Sequence, residues 1–249
     1  MSLLEIQNLT HRFPDGTVAI RNINLKIEEG EFIVLAGRNG SGKTVLARHL
    51  NGLFLPTLGK VLLEGNPITD NLVHARKRIG LIFQDSDSQI IGQTVEDDIA
   101  FGPENLKLPR EEITHRVKES LAAVGLTHLA SSAPHQLSGG EKRRLAIAGV
   151  LAMAPKMIVF DEPFSALDYP GVVQVLTQIV SLHHEGHTII VITHELEKVL
   201  AHANRLILME KGHIVEDGDP AALIGEVEKY GIKKPYGEGR SIRSMTWLR

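Results

Sequence analysis

The sequence predicts an α/β fold: a mainly parallel sheet carrying an antiparallel β-subdomain and an inserted helical subdomain. Three observations lead there. Short apolar, β-rich runs recur at 32–36, 79–83, 157–160, 188–193 and 205–209, each of the length and composition of a strand buried on both faces. A glycine-rich loop at 37–44 separates the first of these runs from a segment with helical apolar spacing. Between residues 84 and 154 the pattern switches to helices, at 110–124 and 139–152, before the strands resume.

In chain order, residues 3–9 alternate loosely, Pro14-Asp15-Gly16 is a turn, and 18–27 alternates through Ile20, Ile23, Leu25 and Ile27. These short strands form the β-subdomain. Glu28-Glu29-Gly30 turns into the run 32–36, and the helix after the glycine loop covers 44–53 through Val45, Leu46, His49 and Leu50. Lys211-Gly212 reads as a hairpin turn into Ile214-Val215-Glu216. The ordered domain spans 1–224, with the helical subdomain at about 88–154. The tail 225–249, rich in Gly, Lys and Arg and poor in periodicity, is expected to be basic and peripheral or partly mobile.

Bulk properties narrow the function. The chain has 249 residues, 43% hydrophobic and 23% charged, as an ordinary globular protein does. A formal net charge of −3 supplies no general attraction to nucleic acid. With no cysteine, disulfides and zinc–thiolate sites are excluded. No apolar run approaches the ~18 residues a membrane helix needs, and the first residues lack the basic start and apolar core of a signal peptide. The expectation is a soluble chain whose membrane role, if any, comes through a partner.

Gly37-Arg38-Asn39-Gly40-Ser41-Gly42-Lys43-Thr44 fits G-x-x-x-x-G-K-[ST] in its proper strand–loop–helix context. The glycines let backbone N–H groups turn toward phosphate oxygens, and the helix start favours a polyanion. Lys43 is placed to reach the β- and γ-phosphates of ATP, and the Thr44 hydroxyl to ligate Mg²⁺. The run 157–160 ends in Asp161 and Glu162, carboxylates at the ligand-binding end of a buried strand. Asp161 suits Mg²⁺, and Glu162 suits polarisation of a water. His183, His184 and His187 flank Gly186 and read as a solvated helix end rather than a metal site. His194-Glu195 does not extend to H-E-x-x-H, because position 198 is Lys.

Leu137-Ser138-Gly139-Gly140-Glu141 resembles the ABC signature, and it precedes Asp161 by about twenty residues. Gln84 is similar to the Q-loop glutamine, Ser165-Ala166-Leu167-Asp168 to the D-loop, His194 to the switch histidine and Phe13 to the aromatic that stacks on adenine. The resemblance to ABC ATPases covers the chain to about residue 220. It implies a RecA-like P-loop NTPase core. It also implies catalytic roles for Lys43, Gln84, Glu162 and His194, and Mg²⁺ ligation by Thr44, Gln84 and Asp161. The family pattern sandwiches ATP between the phosphate loop of one subunit and residues 138–141 of another, either a second copy or a related ATPase.

A single nucleotide domain without a membrane span resembles a separately encoded transporter subunit. The stretch 83–90, then Thr94-Val95-Glu96-Asp97-Asp98-Ile99-Ala100-Phe101-Gly102-Pro103-Glu104-Asn105 and 145–153, look like the energy-coupling-factor branch, although Ser86 stands where Pro is usual. That resemblance implies an importer of cobalt, nickel or a vitamin such as biotin. Its partners would be an integral-membrane coupling protein and a substrate-binding membrane protein, and its place the cytoplasmic face of the membrane. The competing reading is a regulatory, ATP-dependent dimerising switch without transport turnover. The intact set Lys43, Ser138, Asp161, Glu162 and His194 favours the ATPase.

Overall fold

The computed structural model describes residues 2–235 and 241–248. Strands β1 (Ser2–Arg12) and β2 (Val18–Glu28) pair antiparallel across the Pro14–Gly16 turn. β3 (Phe32–Gly37) then enters the core sheet and leads through the glycine loop into α1 (Lys43–Leu50). β4 (Leu58–Leu63) returns to the free edge of β1, with the short β5 (Asn66–Pro67) outside it. After α2 (Leu72–Arg78) comes β6 (Ile79–Ile82), followed by the helices α3 (Val95–Asn105), α4 (Arg110–Ala123) and α5 (Gly139–Leu151). The chain re-enters the sheet as β7 (Met157–Asp161), then α6 (Tyr169–His184), β8 (Thr188–Ile192), α7 (Leu196–Val199), β9 (Arg205–Glu210) and β10 (His213–Gly218).

The core sheet has the order β10-β9-β3-β8-β7-β6, parallel except for the β9–β10 hairpin. A second sheet, β2-β1-β4-β5, is antiparallel. Successive side chains of a strand point to opposite faces, so the central strands feed two cores. Phe32, Val34, Ile158, Phe160, Ile189 and Val191 pack with the helices α5 and α6. Ile33, Leu35, Met157, Val159, Ile190 and Ile192 pack with β1, β2 and α1. Both faces being dry explains why these strands read as continuous apolar runs. Truncating a fully buried residue such as Phe160 would cost about 3–5 kcal/mol.

The predicted class is the observed one, and the predicted strands and helices appear in the predicted order. The sequence reading overlooked β4, β5, α2, α3, α7 and the short helix Pro220–Leu223, and of α6 it gave only the end. In α3, Gly102 and Pro103 read as helix breakers, yet Thr94 and Asp97 form a reciprocal capping box that starts the helix. Gly102 leaves room for the Met153 side chain, whose Sδ would lie 2.4 Å from a Cβ there, so a larger residue would make that methionine shift.

The tail also departs from expectation. Val227, Ile232 and Met245 are buried in the helix-side core, and the Trp247 ring lies 4.7 Å from the Lys198 ammonium. Far from being wholly peripheral, these parts of the tail are packed; residues 236–240 and 249 lie outside the described residues. The histidines at the end of α6 stand at a polar, partly solvated helix terminus, as expected, but are not idle. His183 Nε2 pairs with Gly30 O and His187 Nδ1 with Pro155 O, both at 2.9 Å, so two of the three brace neighbouring loops.

Candidate active site

Parallel strands present their C-terminal ends together, and the site is built there. Register places Leu35 opposite Ile192, Ile192 opposite Asp161 and Phe160 opposite Ile82. The residues that follow these positions, the glycine loop, Asp161-Glu162, His194 and Gln84, therefore converge.

The loop after β3 owes its path to its glycines. Gly42 has φ +102, and a Cβ there would sit 2.7 Å from Ile20 Cγ2; one on Gly37 would lie 2.4 Å from Met209 O. Gly42 caps α1 with no side-chain acceptor, leaving the first-turn N–H groups available to an anion. Lys43 is buried and folds back on the loop, its ammonium donating to Gly37 O at 2.8 Å and to Arg38 O at 3.2 Å. Burial holds its pKa below the ordinary value, against the opposing attraction of Glu162 and Asp161.

Asp161 is buried, and burial raises its pKa, with the Thr44 hydroxyl opposing and the Glu162 charge adding. Asp161 Oδ1 and Ser41 Oγ are buried polar atoms without a hydrogen-bond partner among the described residues. Orphaned acceptors of this kind are costly unless something else completes them. A carboxylate oxygen, a threonine hydroxyl and a glutamine amide are the hard oxygen donors that suit Mg²⁺. Glu162 stands at φ +48, its N–H donating to Ile192 O at 2.9 Å. Its Oε1 is 3.0 Å from His194 Nδ1.

A cleft of about 720 Å³ joins Phe13, residues 39–44, Gln84, Asp161, Glu162 and His194. Phe13 is half-buried and packs edge-on against His11 at 4.8 Å. Gly37 lies beneath the loop, and the exposed Arg38 runs along Gly231 of the tail. Thr17, Ala19 and Lys211 also line the cleft. Sequence reading missed them because the hairpin turn at Lys211-Gly212 gave no sign of docking on the loop, where Gly212 N donates to Ser41 O at 3.0 Å.

Ser138, Gly139, Gly140 and Glu141 are not part of this cleft. They line a separate hollow of about 470 Å³ with Ala166, Leu167 and Asp168. Ser138 caps α5, with its hydroxyl donating to Glu141 Oε2 at 2.7 Å and its N–H donating to the same oxygen at 2.8 Å. These two bonds hold the Glu141 carboxyl below its usual pKa. Unlike α1, this exposed start of a 13-residue helix is already capped through Ser138 and Glu141, and the N–H groups of Gly139 and Gly140 are what it offers an anion.

Comparison with known proteins agrees with this geometry. The ABC transporter family model matches residues 20–165. The energy-coupling factor transporter ATP-binding protein EcfA of Methanocaldococcus jannaschii is 45% identical over 92% of this chain and 83% of that protein. EcfA2 of Clostridium perfringens is 44% identical over 93% and 86%. The structure of cbiO1 from Clostridium perfringens, part of the ABC transporter complex cbiONQ, superposes with a TM-score of 0.81, 37% identity and 92% coverage of both chains. A dimeric ATP-binding cassette in a post-hydrolysis state, bound to ADP and Pi, superposes with a TM-score of 0.77 and 29% identity over 87% of this chain and 98% of that one. With a phosphate loop, paired acids and a signature helix start in this arrangement, the chain belongs to the ABC transporter family, as an ABC ATPase of the energy-coupling factor type.

Proposed function

We propose that this subunit hydrolyses Mg²⁺-ATP as one half of a two-subunit sandwich and so drives uptake of cobalt, nickel or a vitamin such as biotin. The observation that carries the proposal is the separation of the phosphate-loop cleft from the hollow at residues 138–141. Each chain then offers one half of two different sites, and a second copy or a related ATPase supplies the missing half.

Phe13 stacks on the base, and the N–H groups of residues 39–44 hold the phosphates. Lys43 leaves its two carbonyl partners for the β- and γ-phosphates. Thr44, Gln84 and Asp161 would hold Mg²⁺, which supplies neutralisation of charge on the phosphate oxygens. Glu162 accepts a proton from the attacking water as its oxygen bonds to the γ-phosphorus and the bond to the β,γ-bridging oxygen breaks, giving ADP and phosphate. His194, paired with Glu162, orients that water and the γ-phosphate. The partner's Ser138 and the first N–H groups of its α5 stabilise the charge transferred.

The same reading seats a membrane coupling protein. A groove of about 370 Å³ between the core and helical subdomains is rimmed by Leu53, Ile91 and Phe101, which are 41%, 59% and 50% exposed. Exposed apolar residues along a groove suit an amphipathic helix of an integral-membrane partner. The proposed place, through that partner, is peripheral on the cytoplasmic face of the membrane; none of the helices among the described residues is long and apolar enough to cross one.

Measuring ATPase rate against subunit concentration tests the shared site: specific activity should rise with concentration and then level off. Constant specific activity down to concentrations where the subunit is monomeric would refute it. Pull-down of membrane partners, with uptake of labelled cobalt, nickel and biotin, tests the cargo.

A further inference from the structure

Arg143 carries a charge that none of the roles above uses. It lies in the first turns of α5, two residues after Glu141, and is only 4% exposed. Nη1 donates to Phe83 O at 2.5 Å and Nη2 to Gln84 O at 2.6 Å. Those carbonyls belong to the first two residues beyond β6, where the chain leaves the core sheet. Lys142, next to it, pairs with Asp87 at 2.6 Å. Gln89 folds the same segment back on β6, its Oε1 accepting from Phe83 N at 3.0 Å and its Nε2 donating to Leu81 O at 3.3 Å. Residues 83–89 thus close on themselves and are fastened to α5 at two points.

Folding alone does not account for a guanidinium here. Burying it is expensive, and Nε finds no partner among the described residues. Asp85 and Asp161 offset part of that cost. A methionine would fill the same volume with no charge to desolvate. What the planar fork adds is fixed geometry, two parallel bonds that allow neither sliding nor rotation of the peptide they hold. The carbonyls it grips flank the backbone of Gln84, whose side chain is exposed and reaches the phosphate-loop cleft.

We infer that Arg143 is a positioning residue that locks the Gln84 backbone to the signature helix. Movement of the helical subdomain and presentation of the Gln84 amide to the nucleotide are then one motion. This rests on the proposed role of Gln84 at the nucleotide site and adds the part that couples it to α5.

The test uses the full chain with Arg143→Met and Arg143→Lys, alongside Gln84→Ala. Because the chain lacks cysteine, a single cysteine introduced at Ser88 or at Lys118 takes a nitroxide without competition. In the parent, the ATP-dependent spectral changes at the two positions should share one midpoint. In Arg143→Met they should separate, with kcat falling about tenfold while the Kd for a fluorescent ATP analogue stays within about twofold. Arg143→Lys, which keeps the charge but lacks the fork, should recover part of kcat; it also carries the test if the methionine variant fails to fold. Coincident midpoints and a parental kcat in either variant, with Gln84→Ala impaired, would overturn the lock. A parental kcat in Gln84→Ala would instead overturn the role of Gln84 on which it rests.

Discussion

His194 Nδ1 lies 3.0 Å from Glu162 Oε1, joining the ends of two neighbouring strands across 32 residues of sequence. The pair is asymmetric: the Glu162 side chain is 9% exposed, whereas the His194 side chain is 56% exposed. A carboxylate held deep by the strand end and a ring reaching outward suit a base and its orienting partner. The left-handed backbone at Glu162 turns the chain at that point, and strain of this sort is tolerated where the surroundings fix it.

Glu162→Gln keeps the shape and hydrogen-bonding reach of the side chain but removes its basicity. Hydrolysis should fall about 10²–10⁴-fold. ATP binding should persist, and the trapped nucleotide should hold two subunits together on gel filtration. Turnover at the parental rate would remove Glu162 from the role of base.

If His194 works on the same water, as proposed, its loss should not add to that of Glu162. His194→Ala alone should lower kcat by about 10²-fold, and the double variant should be close to Glu162→Gln alone. Single-turnover rates of the four proteins check this. Multiplicative losses would mean that the two residues act independently.

Asp161 gives a prediction in pH. Burial is the largest influence raising its pKa above the ordinary 3.8, so the folded protein holds the proton more tightly than the unfolded chain. Its charge therefore opposes folding above the raised value, and that opposition fades as pH falls through it toward 3.8. Asp161→Asn removes the charge and should raise the nucleotide-free Tm at pH 7.5, by about 2–4 °C for each kcal/mol relieved. The gain should shrink at lower pH, and the rise in Tm produced by Mg²⁺ with ATP should be lost. Scanning fluorimetry at several pH values reads both; a lower Tm for Asp161→Asn at neutral pH would show that attraction, not burial, dominates.

The parts of this site that were legible in the sequence are those written locally. The phosphate loop announces itself because glycine spacing, Lys43 and the adjoining strand and helix are contiguous. Asp161 and Glu162 stand out because two acids end four apolar residues. Arg143 was invisible: in Lys142-Arg143-Arg144 three cations look alike, and only packing decides which one is buried against Phe83 and Gln84. The tail misled for a related reason. Val227, Ile232 and Met245 are too widely spaced to form a periodic face, yet each finds the core. Helix α3 was hidden by Gly102 and Pro103, although the Thr94–Asp97 box marked its start.

The proposed division of the site between two chains makes a prediction about mixtures. Lys43→Ala disables the phosphate-loop half of a site, and Ser138→Arg disables the opposing half. Ser138 is exposed, so the arginine meets no core, and the lost cap costs only about 1 kcal/mol. Each variant alone has every composite site broken and should be inactive. In a mixed pair, one site inherits both lesions while the other has an intact Lys43 facing an intact Ser138. Random pairing of an equal mixture makes about half of the dimers mixed, each with one good site, so activity should return to at most about one quarter of the parent. Rates measured on the two variants separately and together decide the matter. If each site lay within one chain and did not use Ser138, Ser138→Arg alone would hydrolyse ATP normally, and the mixture would show only the mean of the two separate rates.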